Sequence, residues 1–414
     1  MIVQNFNFKS PDYSKILSKL QESKVQLNFK RNSISVSINI FTVLTFDLRG
    51  FLIYGIVDGI TFKRGLGNRF LKLFRENGEK LRFDLTKSEK SNLLEFVKEV
   101  TNFAFKKPTE TNNHESFTEI ELKEFEQKII SKKISDYDSL QETYDAIYSP
   151  IMILPPDQYL ALVVQMTIGC SYNKCSFCSF YKDVKFQLKP FEEVRNHTLA
   201  LKNFLGNSIG LRKSIFLGDA NSLLAPTPYL VKLLDFLNKE FKFDKKKFNG
   251  IYAFIDNFTQ NLKTVEDYQE LERRNFKRAY IGFETGSQNV LRLLNKPGTP
   301  QIAKDVVNRL KESGISVGVI LMTGVGGKKY FSEHVEESAK VINEMNLDKN
   351  DIIYFSEFVS YGIQNYLDLL KEEKIEDNSP EDAKIQTEEI KSRLFPNWQE
   401  KPRMTKYEIK EFIY

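Results

Sequence analysis

The sequence predicts an α/β protein: a partial (β/α)6 barrel of the TIM type, with a smaller N-terminal α+β domain. Three observations predict it. After residue 150 six apolar runs recur, LALVVQMTIG, KSIFLGDAN, GIYAFIDN, RAYIGFETG, SVGVILMTGVGG and DIIYFSEF, each followed by a helical pattern. Unbroken apolar runs alternating with amphipathic helices belong to parallel strands buried on both faces. In the first hundred residues SISVSINI, at 33 to 40, alternates polar and apolar without a break instead, the mark of a strand with one wet face. Finally, the ends of the later runs carry the chain's reactive side chains, and in barrels of this type chemistry sits at the C-terminal ends of the strands.

Taken in order, SISVSINI at 33 to 40 is a strand with one wet face, and FLIYGIV follows as a second after the turn at Arg49-Gly50. TFKRGLGNRFLKLFRENGEKLR sets seven basic residues among 22. Leu66, Phe70 and Phe74 stand four apart within it, which predicts the buried stripe of a helix whose charges face water. The same basic residues, interleaved with Phe62, Phe70 and Phe74, would alternatively suit a face that contacts phosphates. SEKSNLLEFVKEVTNFAF reads as a helix opened by Ser88. KKPTETNNHESF, at 106 to 117, reads as a linker, and two acidic helical segments fill about 118 to 148. The expected divisions are therefore a basic α+β domain at 1–107, linker and acidic helices at 108–149, the barrel at 150–360 and a C-terminal extension at 361–414.

Residues 1–107 carry 19 Lys/Arg against 10 Asp/Glu, a balance of +9, and residues 108–150 carry 4 against 10, a balance of −6. The basic excess thus belongs to the N-terminal piece, and RNA or another polyanion is one class of partner it admits. The longest apolar stretches, YLALVVQMTIG and SVGVILMTGVGG, fall short of a bilayer span and are interrupted by Gln165 or by glycines, so no membrane span is expected. MIVQNFNFKS is too polar for a signal peptide. Three cysteines, all close together, cannot form a disulfide framework. These features point to a reducing, cytoplasmic compartment.

Those three cysteines, Cys170, Cys175 and Cys178, fall in the stretch GCSYNKCSFC immediately after the first barrel strand. Three soft donors on one loop suit zinc or an iron–sulfur cluster. A closed zinc site needs a fourth ligand, and the histidines on offer are His114 in the expected linker and His197 and His334 in helical contexts. Cys175-Ser-Phe-Cys178 is also a C-x-x-C of the kind that cycles between dithiol and disulfide, but the third cysteine is then superfluous. A cluster held by three thiolates keeps one iron open to an exchangeable ligand.

The loop, followed by the later strand ends, resembles the radical S-adenosylmethionine (radical SAM) enzymes. The resemblance covers roughly 150 to 360. The spacing here is C-x4-C-x2-C, one residue longer than the commonest family spacing, and Phe177 matches the aromatic residue before the last cysteine. The resemblance implies a 4Fe-4S cluster on Cys170, Cys175 and Cys178, with S-adenosylmethionine (SAM) chelating the fourth iron. Phe177 would lie near the adenine. Leu217-Gly218-Asp219 stands where the family has a Gly-Gly-Glu type sequence, so Gly218 and Asp219 would meet the methionine ammonium. Glu284, ending the fourth strand in GFETGSQNVLRLLNK, would reach the ribose hydroxyls. The fifth strand, with Gly318, Ile320, Gly324 and Gly326-Gly327, would let the adenine lie against bare backbone at Gly324. Asp256 and Asn257, ending the third strand, are further candidates with no specific role.

The implied activity is reductive cleavage of SAM to a 5′-deoxyadenosyl radical that abstracts hydrogen from a substrate carbon. An external one-electron reductant such as a ferredoxin or flavodoxin would supply the electron, and the substrate would be a small molecule, RNA or a protein. The cofactor carries the hard chemistry while the protein orients and shields. The alternative is an RNA-binding or RNA-modifying protein in which the cysteines hold a structural zinc.

Overall fold

The computed structural model describes residues 10–243, 247–256, 263–395, 400–407 and 412–414. The chain forms two compact units, one of Met1–Tyr148 with Ala200–Leu211 and Ile413–Tyr414, the other of Ser149–Leu199 and Arg212–Phe412.

In the first unit, seven consecutive strands form an antiparallel meander: Val25–Lys30, Ser33–Ile38, Thr42–Asp47, Leu52–Val57, Ile60–Arg64, Phe70–Glu76 and Glu79–Asp84. The alternating stretch at 33 to 38 behaves as expected, with Ile34, Val36 and Ile38 buried and the serines half-buried. Residues 61 to 82 do not form the expected helix. They make three strands joined by turns in which Asn68, Asn77 and Gly78 take positive φ, a conformation that interrupts any helix. A spacing of four fits a helix face and a strand face alike, because i and i+4 share a side in both. Leu71 and Leu73, on the other side of the same strand, are buried too, so the segment is enclosed on both faces. The Asn77-Gly78 pair was the overlooked hairpin signal.

The charges of this segment do not all face water either. Arg64 is buried and donates to the carbonyls of Leu52, at 2.6 Å, and Gly65, at 3.0 Å. Lys72 is buried against Glu89. The helix Lys87–Lys106 is capped by Thr86, not Ser88: Thr86 Oγ1 accepts from Glu89 N at 3.2 Å, and the Glu89 carboxylate accepts from Thr86 N at 2.9 Å. That reciprocal pair satisfies two otherwise orphaned donors.

The expected linker contains an eighth strand, Glu110–Asn113, parallel to Val25–Lys30. The acidic helices Glu119–Ile130 and Ile134–Ile147 are present and belong to this unit. Phe125 stacks near Phe29, and the Tyr137 hydroxyl accepts from Leu52 N at 3.0 Å. Residues 108–148 therefore complete the first core instead of bridging two domains.

The second unit holds all six expected strands, Ala161–Gln165, Ser214–Gly218, Ile251–Ile255, Phe276–Glu284, Ser316–Thr323 and Ile352–Glu357, hydrogen-bonded in chain order and all parallel. The first three are buried at every position, as strands covered on both faces must be. A seventh parallel strand, Arg403–Lys406, lies in the C-terminal extension and pairs with the sixth. Its sequence, RMTK, has no apolar run because its side chains are exposed or half-buried. Among the described residues no pairing joins the seventh strand to the first, so the sheet is a partial barrel. No helix among them is long and apolar enough to cross a membrane.

One carboxylate ties the fourth and sixth strands together. Asp157 accepts from the hydroxyls of Tyr280, at 2.6 Å, and Tyr354, at 2.5 Å, and from Arg278 at 3.0 Å. Both tyrosines are fully buried. Asp157→Ala leaves two buried hydroxyls without their acceptor, and the expected loss is about 3–5 kcal/mol in denaturant unfolding of the second unit. Tyr354→Phe, which removes one donor cleanly, is expected to cost about 1–1.5 kcal/mol.

Candidate functional site

The cysteine loop leaves the first strand through Gly169, whose φ is +75° and whose added Cβ would lie 3.1 Å from Val184. Thr167–Ile168 pairs with Gln187–Leu188, so the two ends of the loop are tied to each other. Between them the loop is pinned to the fourth β/α unit. Ser176 N donates to Leu294 O at 2.9 Å, and Ser176 Oγ donates to Leu293 O at 3.1 Å. Asn173, in the left-handed region, donates to Tyr181 O. Lys182 Nζ donates to Cys175 O at 2.8 Å. The loop's shape thus rests on protein contacts, a form of preorganisation.

All three cysteines are free thiols, half-buried, and line one cavity of about 470 Å3. Burial pushes the Cys175 thiol up to about 12, aided by the nearby Glu284, Cys178 and Cys170 and opposed by Lys296. Burial raises Cys178 as well. Three crowded thiolates are therefore unfavourable unless a cation joins them, and metal binding deprotonates such groups outright. Among the described residues no three Cys, His, Asp or Glu side chains converge as one ion would require. No histidine lines the cavity: His197 Nε2 accepts from Gln165 N at 3.1 Å, and His114 lies in the first unit. This donor set fits a cluster, whose irons each take one thiolate, better than a closed tetrahedral zinc site.

Of the other expected site residues, Phe177 and Glu284 line the cavity. Phe177 also packs on the apolar cluster around Val290 and Met322. Glu284 sits where the fourth strand slips register against the fifth, with φ at 63°, and pairs with Lys296 at 2.8 Å. Burial alone would push Lys296 down, but the charges of Glu284 and Cys175 hold it above the ordinary lysine value. Asp256 also lines the cavity; its carboxylate bonds Asn221, which donates in turn to Ser171 beside Cys170. Asn257 lies outside the described residues.

Gly218, Asp219 and Gly324 are placed differently from expectation. The Asp219 carboxylate accepts from Gln165 Nε2 at 3.0 Å and from Gly169 N at 3.2 Å, so it anchors the start of the cysteine loop. Burial pushes this carboxyl up to about 6, against those hydrogen bonds and the Lys189 charge. Gly218 packs within the sheet, where a Cβ would meet Val163 at 2.9 Å. Ala220 and Asn221, the next two residues, line the cavity in their place. Gly324 faces the C-terminal extension: an added Cβ would lie 3.0 Å from Ala383, and its N–H donates to Gln386 at 2.6 Å. Gly318 lies under the Tyr280 ring. The fifth-strand residues that line the cavity are Ile320 and Met322.

His334 has a structural place beside this site. Its Nε2 donates to Met322 O at 3.0 Å, so Nδ1 is the acceptor for Thr285 Oγ1 at 2.8 Å. It thereby joins the ends of the fourth and fifth strands. Burial holds the imidazole down to about 4, against an ordinary value of 6.5. Between those values the unfolded chain binds the proton and the folded chain does not. The stabilisation is complete above pH 6.5 and lost as pH falls toward 4, an amount of about 3 kcal/mol. Urea unfolding at pH 7.5 and pH 4.5 is expected to show this loss in the native chain and a correspondingly shallower dependence in His334→Gln.

A family model described as the radical SAM superfamily matches residues 164–342. No curated protein matches the chain. Solved structures similar to it include coproporphyrinogen III oxidase (HemN) from Escherichia coli, titled a radical SAM enzyme, 17% identical over 56% of this chain and 51% of that one, with a TM-score of 0.39. Another is Elp3 of the archaeon Methanocaldococcus infernus, 15% identical over 52% of each chain, TM-score 0.36. Methylornithine synthase (PylB) is 15% identical over 66% of this chain and 82% of that one, TM-score 0.36. The chain spans about half the length of the first of these structures. At such scores the structural likenesses carry no weight; the family match and the geometry of the cavity do.

Proposed function

This chain belongs to the radical SAM superfamily, and from that premise we propose that it binds a 4Fe-4S cluster through Cys170, Cys175 and Cys178 and cleaves SAM reductively. The observation that carries the proposal is the meeting of all three of the chain's cysteines with the ends of the parallel strands in one cavity. When bound, the cluster supplies the electron that breaks the bond between the sulfonium and the 5′ carbon, yielding a radical that takes hydrogen from a substrate carbon.

The protein's own part is to hold, orient and exclude water. The loop offers its thiols from a fixed frame, with Ser176 and Asp219 as its anchors. Glu284 and Lys296, paired and nearly buried, form a polar floor whose carboxylate is available to hydroxyl or ammonium groups of a cofactor. Phe177, Phe254 and Met322 shield the interior, which a reactive radical demands. An external one-electron reductant, of the ferredoxin or flavodoxin class, is the partner this chemistry requires, and a reducing, cytoplasmic compartment is where such thiols stay free.

Anaerobic reconstitution of the full chain with iron and sulfide tests the proposal. The expected result is about four irons per chain and formation of 5′-deoxyadenosine from SAM after chemical reduction. A colourless protein holding one zinc, with no 5′-deoxyadenosine, overturns it.

A further inference from the structure

Resting on the radical SAM function just proposed, we infer that the outer face of the cysteine loop, where Lys174, Lys182 and Lys185 accompany Val184, is the surface on which an acidic one-electron carrier protein docks. Cys170, Cys175 and Cys178 line the cavity, whereas the three lysines do not line it and are exposed. Two stretches of the loop bring those lysines together. Asn173 donates to Tyr181 O and, at 3.4 Å, to Val184 O, which holds residues 173–175 against 181–185. Lys182 Nζ donates to Cys175 O at 2.8 Å, so an exposed ammonium touches the backbone of a residue proposed to hold the cluster.

Residues 170–188 hold these three lysines against one acidic side chain, Asp183. Among the described residues none of the three forms an ion pair, and the bond from Lys182 goes to a neutral carbonyl, which cancels no charge. Val184, between Lys182 and Lys185 in the chain, is 37% exposed and adds apolar surface. Apolar surface within a charged rim is the composition of a protein interface, and the sign of the rim selects an acidic partner. A polyanion such as RNA calls instead for a longer row of cations, one for each phosphate neutralised. The place also suits the task. With the cofactor in the cavity, a protein-sized donor has no way in through its mouth, and electrons cross protein only over short spans. The approach left is through the loop that carries the thiols. One electron passes: the carrier is oxidised by one electron, the cluster is reduced by one, and no bond forms or breaks.

Calorimetric binding of a purified acidic flavodoxin to the reconstituted holoenzyme tests this. The native chain is expected to bind it at about 20 mM salt and to lose at least about tenfold in affinity by about 200 mM. Lys174→Glu combined with Lys185→Glu is expected to weaken binding at low salt by about tenfold or more, and Lys174→Arg with Lys185→Arg to leave it within about twofold. Lys182 is kept, because it also holds Cys175 O. In the glutamate variant, 5′-deoxyadenosine formation driven by the flavodoxin is expected to fall with the binding. Formation driven by the methyl viologen radical cation, a small donor that needs no docking surface, is expected to persist. Absence of flavodoxin binding, equal binding by the native chain and the glutamate variant, or an affinity indifferent to salt overturns the inference. So does a short RNA oligonucleotide that displaces the flavodoxin and is itself lost in the glutamate variant, since the lysines then serve phosphates. Iron content and viologen-driven 5′-deoxyadenosine, measured on the native preparation, separate the two levels. If both are normal and the flavodoxin results disagree, only the docking surface fails; if both are absent, the radical SAM function fails and the docking inference falls with it.

Discussion

Replacing any one of Cys170, Cys175 and Cys178 with serine is expected to remove most of the iron and to lower 5′-deoxyadenosine formation roughly 100-fold or more, about 2.7 kcal/mol of lost transition-state stabilisation. The hydroxyl is a hard, poorly ionised donor that does not replace a soft thiolate at iron. The fold is expected to survive, because burial raises the Cys175 and Cys178 thiols and so favours their neutral form, and at each of the three positions a serine is a near-isosteric neutral group. Circular dichroism and urea unfolding of the metal-free variants should therefore fall within about 1 kcal/mol of the metal-free native chain. Iron content, product formation and stability then separate ligand loss from misfolding. Retention of four irons in all three single variants would show that these side chains are not the ligands.

The second large effect concerns the ion pair on the cavity floor. The side chains of Lys296 and Glu284 are 8% and 10% exposed. Lys296→Met strands a carboxylate in a poorly solvated place, and the expected cost is about 3–5 kcal/mol, because removing one partner of a buried pair leaves the other uncompensated. The double replacement Lys296→Met with Glu284→Gln removes both charges and is expected to recover most of that loss. A double-mutant cycle by denaturant unfolding, followed by signals from the second unit, checks the coupling. If the single and double variants are equally unstable, packing and not charge governs this position. Neither metal-free variant is expected to restore SAM cleavage on reconstitution, since both alter the same floor.

Much of the second unit was legible in the sequence because its strands are buried on both faces. That burial forces continuous apolar runs such as LALVV and SIFLG, and no one-sided element produces them. The cysteine loop was legible for a different reason: soft donors at close spacing are rare and have few uses. By contrast, Leu66, Phe70 and Phe74 misled, since a spacing of four is shared by two periodicities and only the Asn-Gly turn distinguishes them. The expected role of Asp219 toward a cofactor ammonium rests on the resemblance alone; what the structure adds, and no local pattern marks, is that this carboxylate accepts from Gln165 and Gly169 at the start of the cysteine loop. Lys296 lies 12 residues beyond Glu284 in a stretch already quoted for its glutamate, yet nothing local marks a lysine whose partner is set by a strand slip.

What the sequence determined by itself is the six apolar strands of the second unit and the loop that bears the thiols, because periodicity and ligand spacing are local properties that survive any arrangement of the rest. What only the tertiary structure decided is which polar groups face the cavity and which are spent holding it together. Asp219, Gly324 and His334 belong to the second kind, for a hydrogen bond is satisfied by whichever partner the packing brings within about 3 Å, and that neighbour lies 50 residues away for Asp219, 62 for Gly324 and 49 for His334.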